Sequence, residues 1–142
     1  MAAKLILKHN DITDKILYAF FKKVYRQLGY GFLEKVYENA MALELRRMGL
    51  KVQQQVPIDV YYGDEVVGVY YADLVVEDAV LVELKAAKAI EPAHEAQLLN
   101  YLRATPYEVG LLLNFGPKPS FKRKGFDNSR KPTKTWRMNS SI

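Results

Sequence analysis

Apolar residues recur along this chain in two rhythms, and the change from one to the other divides it into elements. Ile16, Ala19, Phe20, Lys23, Val24 and Gln27 follow helical spacing, with an apolar stripe through Ile16, Phe20 and Val24. A helix is therefore expected from a cap at Asn10, Thr13 or Asp14 to about Leu28. Gly29 and Gly31 interrupt the chain, and a second helix is expected from about Phe32 to Met48, closed by Gly49. The period then falls to two. LKVQQQVPIDVYY reads as a strand in which Pro57 marks an edge or a bulge. Gly63-Asp64-Glu65 turns the chain into VVGVYYADLVV, and Glu77-Asp78 turns it again into AVLVELKAA. Pro92 opens a third helix reaching to about Ala104, and YEVGLLLNF follows as a short apolar strand. The order α-α-β-β-β-α-β describes an α/β fold, a mixed β-sheet flanked by helices.

Three charged residues sit inside the apolar runs of the second and third strands, namely Asp73, Glu83 and Lys85. Side chains alternate across a strand, so Leu81, Glu83 and Lys85 share one face, and Val80, Val82 and Leu84 the other. By the same rule Tyr71, Asp73 and Val75 share a face, and Ala72, Leu74 and Val76 the opposite one. Pairing through the Glu77-Asp78 turn would bring Asp73 beside Glu83 in a suitable register. Burying an unpaired carboxylate costs several kcal/mol, two facing carboxylates repel, and Lys85 offsets only one of them. A hard divalent cation, Mg²⁺ or Mn²⁺, would settle that balance. The plainer reading is a salt-bridged strand end in which Lys85 neutralises Glu83.

Other residues point to the same chemistry. On the second helix Glu34 falls in line with Glu38, Met41, Leu45 and Met48, so it belongs to the stripe that faces the sheet. An acid near a helix N-terminus is also explained by the helix dipole alone. On the third helix His94, Gln97 and Tyr101 project from one side, where a glutamine and a tyrosine can donate to phosphate oxygens. Core packing is the competing account of Tyr101, and capping that of His94.

Composition narrows the class. The 142 residues suit one domain with a sizeable core. Cysteine is absent, which removes disulfides, thiolate metal sites and a cysteine nucleophile, and fits a reducing cytoplasm. No apolar run reaches about 18 residues, so no membrane span is expected, and MAAKLILKHND has too short an apolar core for a signal peptide. The net charge of +5 is concentrated late: from Pro117 onward there are eight basic residues and one acid. Residues 1–116 are thus expected to form the globular domain. Residues 117–142 would form a basic tail, either partly disordered and solvated or turned toward a polyanion such as nucleic acid.

These features together resemble the PD-(D/E)XK nuclease superfamily, and within it the small bacterial and archaeal proteins named after a GxxExxY motif. That motif stands here as Gly31-Phe32-Leu33-Glu34-Lys35-Val36-Tyr37. YENAMALELRRMGLKVQQQVPIDVYY, YYADLVVEDAVLVELKAAK, HEAQLLNYLRA and VGLLLNFG continue the likeness over residues 10–116. Where that family often has His-Arg and a proline between the glycines, this chain has Tyr25-Arg26 and Tyr30. The basic segment after Gly116 is where the likeness ends.

The resemblance implies a restriction-endonuclease-like core and metal-dependent phosphodiester hydrolysis of nucleic acid, with DNA the expected substrate. Position by position it makes Asp73 the first metal acid and Glu83 with Lys85 the ExK pair. The Leu84 carbonyl becomes a further metal ligand, and Gln97 to Tyr101 a phosphate-positioning QxxxY element. Glu34 would hold a second ion or the water beside it. The alternative is a nucleic-acid-binding or protein-interaction module with little or no cleavage on the same fold. An edge strand near Pro57 would permit a homodimer.

Overall fold

The computed structural model describes residues 7–132 and Trp136. A first helical segment comprises α1 (Asn10–Tyr18), a π-helical stretch (Ala19–Val24) and α2 (Tyr25–Leu28), followed by α3 (Glu34–Arg47). The strands are β1 (Val52–Tyr62), β2 (Glu65–Val76) and β3 (Val80–Lys85), then helix α4 (Pro92–Arg103), β4 (Val109–Phe115) and β5 (Pro119–Gly125). They form one sheet in the order β1-β2-β3-β4-β5. All neighbours are antiparallel except β3 and β4, which are parallel. A parallel pair needs a crossover, and α4 supplies it. Among the described residues no helix is long and apolar enough to cross a membrane.

β3 and β4 are buried almost throughout, as expected of central strands covered on both faces. On one side the first helices and α3 bury Ile16, Phe20, Val24, Met41 and Leu45 against Leu74, Val82, Leu84 and Leu113. On the other, α4 buries Leu98, Tyr101 and Leu102 against Val75, Leu81 and Leu112. A β-carbon on Gly110 would meet Leu98 Cδ1 at 2.8 Å, so the glycine makes room for the α4 side chains to lie directly on β4.

Three helical expectations change, two at a helix start and one in mid-helix. None of Asn10, Thr13 and Asp14 caps the first helix: His9 does, in a left-handed conformation and without a side-chain bond. The Thr13 hydroxyl is buried and donates back to the Asn10 carbonyl instead. The π-helical stretch Ala19–Val24 interrupts the uniform α-helix that the spacing implied. Finally, α3 starts at Glu34 rather than Phe32, because the Tyr37 hydroxyl ties down the turn before it. That hydroxyl donates to the Gly29 carbonyl at 2.7 Å and accepts the Phe32 N–H at 3.1 Å. Its ring stacks on Phe115 with centroids 4.1 Å apart. The tyrosine of the Gly31–Tyr37 motif therefore fastens the entry to α3 onto the core. Tyr25 fastens the far end of β4, donating to the Gly116 carbonyl at 2.6 Å.

The segment after Gly116 is not irregular at its start. β5 pairs with β4 along its whole length, although its sequence offers one large apolar residue, Phe121, which packs on Phe21. Backbone pairing with the open edge of β4 makes this strand, and its charges keep it an edge. Several of its cations are engaged: Lys124 pairs with Glu95 at 2.7 Å, and Arg123 donates to the Lys8 carbonyl. Lys131 is buried, donates to the Thr105 and Tyr107 carbonyls at 2.7 Å each, and has its pKa lowered to about 8 by that burial. Lys118, Lys122 and Arg130 remain exposed. Residues 133–135 and 137–142 of the expected tail lie outside the described residues.

Removing the Tyr37 hydroxyl with Tyr37→Phe should lower the urea-unfolding free energy by about 1–3 kcal/mol while keeping the ring stack. Tyr37→Ala, which also removes the stack, should cost about 3–5 kcal/mol. Equal stability of Tyr37→Phe and wild type would mean that the hydroxyl does not hold the turn.

Candidate active site

β2 and β3 pair only through Leu74↔Val82, Val75↔Leu81 and Val76↔Val80. One position further the strands part, and Asp73 faces Glu83 across the gap. Each carboxylate takes a backbone donor of the opposite strand: Asp73 N–H donates to Glu83 Oε1 at 3.1 Å, and Leu84 N–H donates to Asp73 Oδ2 at 2.8 Å. The turn pairs the strands as the pattern allowed, and the register, which the sequence left open, is the one that makes the acids face each other.

One part of that pattern fails. Ala72 packs with Val75 against α4, while Leu74 and Val76 face the other core, so alternation along β2 breaks at Asp73. The opposite strand shows why. Gln55, across from Asp73, adopts a left-handed backbone conformation with φ 52°, and this pair alone drops out between Gln54↔Leu74 and Val56↔Ala72. Such a conformation costs a non-glycine residue about 1–3 kcal/mol and is retained where surrounding contacts enforce it. Here the Gln55 amide donates to Glu38 Oε1 and to Asp73 Oδ1. Beyond the break, β1 and β2 continue as a two-stranded ribbon whose Val56 and Ile58 turn toward α4.

Glu83 is 5% exposed and Asp73 half-buried. Burial, reinforced by the charge of Asp73, pushes the Glu83 pKa up to about 8. Burial also raises the Asp73 pKa, outweighing the Leu84 N–H that opposes the rise. Lys85 lies on the same face and makes no ion pair among the described residues. The salt-bridged strand end is therefore not what forms.

α4 covers this face. Gln97 Nε2 donates to the Tyr101 hydroxyl at 3.0 Å. Burial raises the Tyr101 pKa, with Glu83 and Asp73 contributing through their charges, which places the ring beside the acids. His94 serves the helix end instead: its Nδ1 accepts the Glu91 N–H at 3.1 Å in a capping box.

Glu34 is exposed as the first residue of α3. One turn on, Glu38 is 3% exposed, held by Lys35 at 3.0 Å and by the amides of Gln54 and Gln55. Through Gln55 it is joined to Asp73, and its charge contributes to raising the Asp73 pKa. The signal for Glu38 was its place in the same stripe as Met41 and Leu45. The glutamines of β1 carried no signal, because only pairing with Asp73 gives Gln55 a role.

The donor set suits a hard cation. Two facing carboxylates, one nearly buried and held partly protonated at neutral pH, lack a paired positive charge. Mg²⁺ is commonly held by one or two carboxylates, with waters and substrate oxygens completing the shell. Among the described residues no group of three acids or histidines is placed to hold a metal, so the protein's share would be small.

A family model described as the PD-(D/E)XK nuclease superfamily matches residues 10–124. No curated protein matches the chain. Among solved structures it is similar to an alkaline exonuclease (LHK-Exo) from Laribacter hongkongensis, with 12% identity and TM-score 0.51, over 87% of this chain and 74% of that one. It is also similar to SSO0001, with 16% identity and TM-score 0.48, over 66% of this chain and half the length of that one. The mixed five-stranded sheet flanked by helices is a restriction-endonuclease-like fold.

The facing acids carry a pH signature. An acid whose pKa rises from 4.5 to about 8 on folding binds more protons folded than unfolded in that window, so stability falls as pH rises through it. In EDTA, Glu83→Gln should therefore gain in melting temperature over wild type between pH 5 and pH 8, levelling off above. A difference that is the same at both pH values would show that Glu83 is not held protonated by its burial.

Proposed function

The chain belongs to the PD-(D/E)XK nuclease superfamily, and on that premise we propose that it hydrolyses phosphodiester bonds of DNA with a divalent cation, Mg²⁺ or Mn²⁺, held by Asp73 and Glu83. Superfamily membership makes nucleic acid the substrate class. The observation that carries the rest is the crossed pair of acids, Glu83 buried and Asp73 half-buried, each held by the other's strand, with the unpaired Lys85 beside them. The narrower kinship with GxxExxY proteins is part of this reading, supported by the role of Tyr37 in fastening α3.

The Leu84 carbonyl completes the protein's ligands in this proposal. A cation bound there supplies Lewis-acid polarisation of a phosphoryl oxygen and a more acidic water. The chain's own residues then position the substrate. Lys85 places a positive charge where the phosphate gains negative charge in the transition state. The Tyr101 oxygen accepts the Gln97 amide, which leaves its O–H as the donor to a phosphate oxygen in this reading. Glu38, linked to Asp73 through Gln55, takes in this reading the place that the resemblance gave to Glu34, whose exposed carboxylate is left to the helix N-terminus.

Labelled single-stranded, duplex and branched DNA, and RNA, incubated with Mg²⁺, Mn²⁺ or EDTA, test this directly. Glu83→Ala and Lys85→Ala should each lower metal-dependent cleavage of DNA at least a hundredfold. Cleavage that survives both would remove these residues from the site, and binding without cleavage in every metal would return the protein to the binding-module reading. Independently of cleavage, Mn²⁺ should raise the melting temperature of wild type, and Asp73→Ala should abolish the rise.

The exposed lysines near β5 are the candidate phosphate contacts. Lys118→Gln with Lys122→Gln should weaken DNA binding at low salt and reduce the slope of log K against log salt by up to about two. An unchanged slope would assign the basic edge to something else.

A further inference from the structure

Beside the acids, the β1–β2 ribbon and α4 enclose a cleft of about 530 Å³ whose walls include Asp59, Tyr61, Tyr70, Gln97, Asn100 and Tyr101. That volume lies within the range of small-molecule and cofactor sites. Its depth comes from Ala93 and Ala96, small residues on the helix side. Gln97 and Tyr101 belong both to this cleft and to the candidate active site, so one end of the cleft opens onto the chemistry. At that end the half-exposed Tyr70 ring lies 5.6 Å from the Tyr101 ring, tilted by 46°.

The charges on the two flanks are opposite in kind. Residues 56–72 of the ribbon carry Asp59, Asp64 and Glu65 and no lysine or arginine. No basic residue occurs between Val52 and Leu84. This wall has nothing with which to hold phosphates. The cleft itself is lined by one cation, Arg103 at the end of α4, whose guanidinium lies 5.7 Å from the Phe126 ring centroid. The lysines lie on the other side of the acids: Lys85 at the end of β3, Lys88 after it, Lys118 beyond β4, and Lys122, which register places on the α4 face in line with Glu83 and Leu112. A strand whose backbone follows the lysines past Asp73 and Glu83 must turn its bases toward the ribbon and α4. There it meets aromatic faces for stacking and the Asn100 amide and Asp59 carboxylate for base edges. Paired bases present neither free faces nor free pairing edges.

We propose that this cleft holds an unpaired base of the substrate, stacked on Tyr70 next to the cleavage site, so that the protein selects single-stranded over duplex DNA. This deepens the phosphodiesterase reading and rests on it for the identity of the ligand.

The test is binding, not cleavage. On a Glu83→Gln background in EDTA, fluorescence anisotropy is measured for a 12-nucleotide strand, its blunt duplex, and an abasic strand of equal length and charge. The single strand should bind more tightly than either. Tyr70→Ala should weaken single-strand binding about tenfold or more and leave duplex and abasic binding unchanged, while Tyr70→Phe should retain single-strand binding. Equal loss on all three ligands, no loss, or tighter binding of the duplex overturns the proposal. If the base-dependent binding is found but wild type cleaves nothing, the cleft stands and the hydrolytic reading falls.

Discussion

Everything about this molecule's working face follows from two carboxylates placed where a pair of strands comes apart. At the last rung of the β2–β3 ladder, a sheet would normally continue by exchanging backbone hydrogen bonds. Here the Asp73 and Glu83 side chains take those donors instead. That substitution satisfies the buried N–H groups and gives both acids a fixed geometry. It also buries Glu83 beside a second acid, so burial first and the charge of Asp73 next drive its pKa upward against the weaker opposing charge of Lys85. A buried acid of this kind, without a paired cation, costs the fold stability at one place.

The parting of the strands has a second consequence. Once Gln55 turns left-handed and the Gln55–Asp73 pair leaves the ladder, the rest of the β1–β2 hairpin rotates its inner residues toward α4. The same break orients the acids, brings Glu38 to them through Gln55, and raises one wall of the cleft beside Tyr101. α4 can form the other wall because Gly110 lets it lie close on β4. The lysines gather on the opposite flank, near an edge strand that is otherwise an ordinary device against sheet-to-sheet pairing. An acidic aromatic wall therefore stands on one side of the acids and a basic edge on the other.

Periodicity made the helices, the central strands, the crossover and the polar face of β3 legible in the sequence, because each is a local consequence of burying one side of an element. Asp73, Glu83, Lys85, Gln97 and Tyr101 come from that reasoning and from the resemblance, and the structure brings Asp73, Glu83 and Tyr101 close together. β5 escaped it, since its strand character lies in the exposed backbone of β4 and not in its own lysines and arginines. Glu34 and Glu38 share a stripe in the sequence, and nothing in a helical projection says which one reaches the sheet. The turn tied by Tyr37 decides this by starting the helix at Glu34 and leaving its first acid in solvent.

The sequence by itself determined the main helices, the strands β1 to β4 and the polar face of β3, because those follow from alternation, helical spacing and the cost of burying charge. Tertiary structure alone decided that alternation would break at Asp73, that Gln55 would bridge two acids and that Lys131 would be buried among carbonyls. These are contacts between residues 17 to 26 positions apart. Their energies depend on what the rest of the fold places opposite, and no local pattern encodes that.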